Sequence, residues 1–118
     1  MTTLPSYSYR AVVVRIVDGD TIRVDLDLGL HVWQRNMPLR LLGYDAPEVR
    51  GEERPQGLLA SAALAELLPI GTEIIVETRK GDGFGRYLAQ VWKDGEDINA
   101  IMAEDLAAKA NEAIEEVK

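Results

Sequence analysis

Five charged residues stand where strands end or tight turns begin: Asp20, Arg40, Asp45, Glu48 and Arg86. Asp20 lies in Val17-Asp18-Gly19-Asp20-Thr21. Arg40, Asp45 and Glu48 lie in Arg40-Leu41-Leu42-Gly43-Tyr44-Asp45-Ala46-Pro47-Glu48, and Arg86 closes Gly81-Asp82-Gly83-Phe84-Gly85-Arg86. Arg40 sits within an apolar run, and arginine is almost never fully buried without a partner. Carboxylates brought together without compensation repel and raise one another's pKa, which a hard cation relieves. With no cysteine and one histidine in the chain, oxygen ligands favour calcium, magnesium or manganese over zinc. An arginine fork matches two phosphate oxygens at once, and metal and guanidinium together can share the charge of a phosphorus transition state. A carboxylate left off the metal, as Glu48 can be, orients or deprotonates water. By type and spacing the residues point to phosphate-ester chemistry. Asp25 and Asp27 read instead as a solvated strand face, Thr21 as holding the turn, and His31 as an exposed loop residue.

The elements that position these residues are short. Tyr9 to Val17 reads as a strand that stops at an Asp18-Gly19 hairpin turn. Ile22, Val24, Leu26 and Leu28 then alternate with Thr21, Arg23, Asp25 and Asp27, giving a strand with one buried face. Leu30 to Trp33 begins a short strand or loop, and Leu39, Leu41 and Leu42 mark a buried strand ended by Gly43 and Pro47. Residues 50–54 read as an exposed loop. Pro55 suits the first turn of a helix, carried from Gln56 by Leu58, Leu59, Ala62, Ala63, Leu67 and Leu68 and stopped at Pro69-Ile70-Gly71. Glu73–Arg79 and Tyr87–Trp92 form a hairpin around the glycine-rich loop. Asp94-Gly95 is a turn, and Ile98 opens a final helix with Met102, Leu106, Ala110, Ala113, Ile114 and Val117 on its apolar face. The predicted fold class is mainly β with helices, an α+β protein. It is a five-stranded barrel of the OB type with an inserted helix and a C-terminal helix, which covers the sheet edges.

A chain of 118 residues is sized for one domain with a single core, so residues 1–118 are expected to form one. No apolar run approaches a membrane span, and Met1 to Arg10 has no signal-peptide pattern. The expectation is therefore a cytoplasmic protein if the chain is complete, with no membrane partner. The net charge of −7 is unevenly placed. Residues 1–93 carry 12 acids and 11 bases, whereas residues 94–118 carry 8 acids and 2 bases. A body so nearly neutral lacks the basic footprint of most nucleic-acid binders.

Taken together, the three blocks resemble the staphylococcal nuclease (thermonuclease) family in order, gaps and surrounding strand pattern, from roughly Tyr9 to Leu106. The resemblance implies a calcium-dependent phosphodiesterase on an OB-fold. Such an enzyme cuts DNA and RNA, single-stranded or locally melted, with little sequence preference and leaves 3′-phosphates. It implies Asp20 and Asp45 as calcium ligands and Ala46 as a ligand through its backbone carbonyl, where the best-known member has threonine. Glu48 is then the general base, Arg40 bridges phosphate oxygens and Arg86 stabilises the transition state or leaving group. Asp18 is an outer-sphere neighbour. The protein is expected to be a monomer. Gly83 and Phe84 replace a lysine and a tyrosine of the family's loop, and no nucleotide-binding tyrosines follow near Asn111. The usual glycine near Asp105 is missing, so the final helices are expected to run together. With the acidic tail, these departures imply weak polynucleotide binding with a shallow salt slope. A non-catalytic nucleic-acid or protein-binding module on the same barrel is the alternative. Such modules lose the Asp and Arg positions and gain an aromatic cage, and Phe84, Tyr87 and Trp92 are too few and too strand-like to supply one.

Overall fold

The structure is a computed structural model that describes residues 7–43, 46, 51, 54–79 and 87–105. The strands are β1 (Tyr7–Asp18), β2 (Thr21–Asp27), β3 (Trp33–Leu41), β4 (Glu73–Arg79), β5 (Tyr87–Lys93) and the two-residue β6 (Glu96–Asp97). Helix α1 (Arg54–Leu67) joins β3 to β4, and residues 98–105 form the described part of a second helix, α2. The sheet runs β3-β2-β1-β4-β5-β6, and a parallel pairing of β3 with β5 closes the first five strands into a barrel. This is the OB-type α+β barrel expected from the alternation and hairpins.

The barrel interior is filled from alternate positions of every long strand. Ala11 and Val13, Ile22, Val24 and Leu26, Leu39 and Leu41, Ile74 and Val76, and Ala89 and Val91 are all buried in one cluster. β1 is long enough to serve both halves, pairing with β2 and with β4. Its register slips between Val13 and Arg15 and between Ile16 and Asp18, and such irregularities bend and coil a strand.

Four expectations need correction. Residues 33–41 form one continuous strand rather than two pieces. The β1–β2 turn is Gly19-Asp20, because Asp18 pairs with Thr21. That shift of one residue leaves Thr21 buried instead of on the solvent face. Leu28 is 44% exposed, since β2 ends at Asp27, whose Oδ1 accepts the Gly29 N–H at 2.9 Å and opens a turn. In α1, Leu58 and Leu59 are exposed, and the buried line runs Gly57, Ala60, Leu64 and Leu68. Helical spacing was present in both sets of residues, and packing chose the one with small residues at its first turns.

Asp25 is less idle than a solvated strand residue. It sits at a third register slip, between Val24 and Leu26 in the β2–β3 ladder. Its Oδ1 accepts the Asn36 N–H at 2.9 Å, and its Oδ2 takes Arg35 Nη1 at 2.9 Å. His31 is exposed as expected, in a turn where Leu30 and His31 both take positive φ.

The start of α2 is fixed to the barrel by two polar residues that hydrophobic patterning passes over. Asp97 Oδ1 accepts the Ala100 N–H at 2.9 Å, a helix N-cap, and also a 2.6 Å bond from Gln90. Asn99 is 5% exposed. Its Nδ2 donates to Leu42 O at 2.7 Å and Ala89 O at 2.9 Å, and its Oδ1 accepts the Val91 N–H at 2.9 Å. One side chain thus stitches α2 to β5 and to the end of β3. Asn99→Ala removes a partner from the Val91 N–H and the Leu42 carbonyl, while the Ala89 carbonyl keeps the Leu42 N–H at 2.9 Å; each group left without a partner costs roughly 1–3 kcal/mol. The variant is expected to show a clearly lower urea midpoint with an unchanged slope; a midpoint equal to wild type would remove Asn99 from this role. The expected continuation of the C-terminal helix through Leu106, Ala110, Ala113, Ile114 and Val117 lies outside the described residues.

Candidate active site

The site begins at the Gly19-Asp20 turn. Asp18 Oδ1 accepts the Asp20 N–H at 3.1 Å, a local bond that Asp makes readily at a turn. The Asp20 carbonyl accepts the Leu41 N–H at 2.7 Å, so the turn is clamped to the last residue of β3. Thr21 pairs with Arg40 across the β2–β3 ladder, which sets the Arg40 side chain beside the turn. Arg40 Nη2 lies 3.5 Å from Asp20 Oδ2. This ion pair resolves the awkward arginine in an apolar run.

Asp20 is buried, at 7% exposure. Its Oδ1 accepts the Thr21 hydroxyl at 3.0 Å, and its Oδ2 accepts the Ala46 N–H at 3.0 Å. The peptide at Ala46 is therefore drawn onto the Asp20 carboxylate from 26 residues away. Asp20, Arg40 and the Ala46 N–H come together at this turn. Asp45, Glu48 and Arg86 lie outside the described residues, as do Tyr44, Pro47, Gly83 and Phe84.

Gly19 is what lets the three segments meet. A Cβ there would stand 2.6 Å from the Ala60 Cβ of α1 and 2.8 Å from the Ala46 Cβ. Both neighbours are the smallest side chains with a Cβ, so neither can rotate away. Glycine at 19, alanine at 46 and alanine at 60 together bring helix, turn and loop into contact. The sequence carried this signal as small residues at three distant positions, which no single-segment pattern joins.

The two turn carboxylates share charge unequally. Burial, then a hydrogen bond with Asp20 and its charge, push Asp18 from the usual 3.8 up to about 6. Burial also presses Asp20 upward, but hydrogen bonds from Asp18, the Ala46 N–H and the Thr21 hydroxyl, with the Arg40 charge, outweigh it and leave Asp20 lowered. Below about pH 6 Asp18 thus holds a proton beside an ionised Asp20.

Asp18 keeps its proton to about pH 6 in the fold but only to 3.8 when free, so it favours the fold at low pH and that favour is lost as pH rises through about 6. Asp18→Asn, which keeps the acceptor for the Asp20 N–H, is expected to stabilise the calcium-free protein at pH 7. The gain is on the order of 1 kcal/mol after allowance for solvent screening of a half-buried group. It should vanish near pH 3. Equal stabilisation at both pH values would contradict the protonation scheme.

Two carboxylates in contact, all-oxygen donors and a neighbouring main-chain peptide fit a hard divalent cation. Among the described residues no three His, Cys, Asp or Glu side chains gather as a metal site. The second expected carboxylate ligand, Asp45, lies outside the described residues.

Comparison with known proteins agrees with the sequence blocks. Residues 38–118 match the family described as Staphylococcal nuclease homologue. The chain is 32% identical over 102 residues to the thermonuclease of Staphylococcus hyicus, spanning 83% of this chain and 57% of that protein. The corresponding figures for the thermonuclease of Staphylococcus intermedius are 31% over 102 residues, 83% and 57%. Protein ParB of Escherichia coli is 37% identical over 83 residues, covering 70% of this chain and 41% of that protein. The chain thus spans about half the length of the curated relatives it matches.

Proposed function

Since the chain belongs to the staphylococcal nuclease homologue family, we propose that it is a calcium-dependent nuclease that hydrolyses phosphodiester bonds of DNA and RNA. The observation that carries this is the convergence of Asp20, Arg40 and the Ala46 peptide on one buried turn. A carboxylate held ionised next to an arginine that reaches the surface suits a site that binds a cation and a phosphate side by side. Asp20, Asp45 and the Ala46 carbonyl would hold calcium, whose positive charge would offset that on the phosphate oxygens.

Arg40 binds two of those oxygens and orients the phosphorus for in-line attack. Glu48 takes a proton from water as the water oxygen bonds to phosphorus. The bond from phosphorus to the 5′-oxygen breaks, Arg86 balances charge as that oxygen leaves, and a proton completes the 5′-hydroxyl. The other product ends in a 3′-phosphate. The chain acts as a monomer on single-stranded or locally melted substrate, with little sequence preference.

End-group analysis tests the direction of cleavage: 3′-phosphate and 5′-hydroxyl ends are expected, and 5′-phosphate ends would refute it. Glu48→Gln is expected to slow turnover roughly 10²-fold while leaving calcium binding and folding intact. Turnover near that of wild type would remove Glu48 from the mechanism.

A further inference from the structure

At the other end of β1 from the Gly19 turn, the barrel interior opens into a groove of about 590 Å³. Strand alternation explains its lining. Tyr7 and Tyr9 continue the inner face of Ala11 and Val13, and Tyr87 continues that of Ala89 and Val91, where β1 and β5 run out beyond the packed core. Tyr7 is 60% exposed and Tyr87 45%, although aromatic rings on an inward-facing line ordinarily bury. Met37 adds a flexible apolar wall, and Arg79 and Gln34 supply polar groups.

Charge distinguishes this groove from the rest of the surface. In a chain of net charge −7, none of the described residues lining it is acidic, and Arg79, 3.9 Å from Glu77, is among them. A second groove of similar size, flanked by Trp33 and Trp92, carries Asp27, Glu73 and Asp94 against Arg10 alone. Tyr87 pairs with Leu39, which also lines the groove, whereas Arg40, the next residue of β3, belongs to the opposite face of the sheet.

We propose that this groove is a stacking site for unpaired bases of a single-stranded polynucleotide. The proposal rests on the nuclease reading above. Aromatic faces accept any base, so such a site gives preference for single strands without sequence selection. Duplex bases, already stacked and paired, cannot enter it.

The test is binding of a fluorescein-labelled single-stranded 8-mer of thymidylate, and of a hairpin duplex, to the full chain in chelator, where no turnover interferes. Stacking contacts weaken roughly 5-fold or more per base on loss of the ring. The Tyr7→Ala, Tyr87→Ala double variant is thus expected to lose on the order of 25-fold or more in single-strand affinity, with duplex binding unchanged and the Phe counterparts restoring it. Unchanged single-strand affinity, or an equal loss for duplex, overturns the groove. Photo-crosslinking of a 5-iodouracil oligonucleotide to the wild-type chain needs no variant. Adducts at Tyr7, Tyr9 or Tyr87 support the site, and adducts only elsewhere refute it. Tyrosine-dependent binding without cleavage in calcium would refute the nuclease reading and leave the groove standing. Cleavage with tyrosine-independent binding would do the reverse.

Discussion

Asp20→Ala is expected to reduce turnover by roughly 10³-fold or more, through two losses that multiply. Outer-shell partners of a metal site already cost about 10–100-fold in affinity when removed, so loss of a direct carboxylate should cost at least that. The same side chain accepts the Ala46 N–H and pairs with Arg40, and misplacement of catalytic groups by about 1 Å can cost 10²-fold. Calorimetry should show calcium affinity down by at least an order of magnitude. The fold should survive, because the bond from the Leu41 N–H to the carbonyl at position 20 belongs to the main chain. Wild-type calcium affinity in this variant would remove Asp20 from the metal site.

Arg40→Ala separates phosphate binding from metal binding. Loss of one preorganised charge-stabilising donor costs about 10²–10³ in rate, and that is the expected fall in kcat. Arg40→Lys keeps the charge but not the planar fork, and should recover only part of it. Calcium affinity should change far less than the rate, since Arg40 contributes a cation and no ligand. A variant that binds calcium poorly but turns over normally at saturating metal would reverse the assignment and make Arg40 a support for the turn.

The fold was legible because its signals are local. Clean alternation in Ile22, Val24 and Leu26, and Pro55 with the Pro69-Ile70-Gly71 stop, each act within a few residues. The candidate site was legible for a different reason. Charged residues at strand ends have few structural uses, and Arg40 in an apolar run demanded a partner, which Asp20 supplies at 3.5 Å.

What escaped is tertiary in origin. Leu58 and Leu59 satisfy helical spacing as well as Ala60 and Leu64 do, and the face that packs is the one whose Ala60 fits the close approach at Gly19. Thr21 is buried by a turn displaced one residue from the strongest local signal. Asn99 reads as an ordinary polar residue at a helix start, and its three bonds reach residues 8, 10 and 57 positions away. The tyrosine groove was invisible for the same reason. Tyr7, Tyr9 and Tyr87 meet only when β5 returns beside β3.

The decisive measurement is cleavage of a single-stranded DNA reporter with calcium titrated in, against a chelator control and the Arg86→Ala variant. The proposed function requires that the signal rise with calcium, vanish in chelator and fall on the order of 10²-fold or more without Arg86. A purified chain that binds calcium yet cuts neither DNA nor RNA would contradict it and direct attention to small nucleotide esters. A chain that binds no calcium would leave a barrel that holds nucleic acid or protein without cutting it.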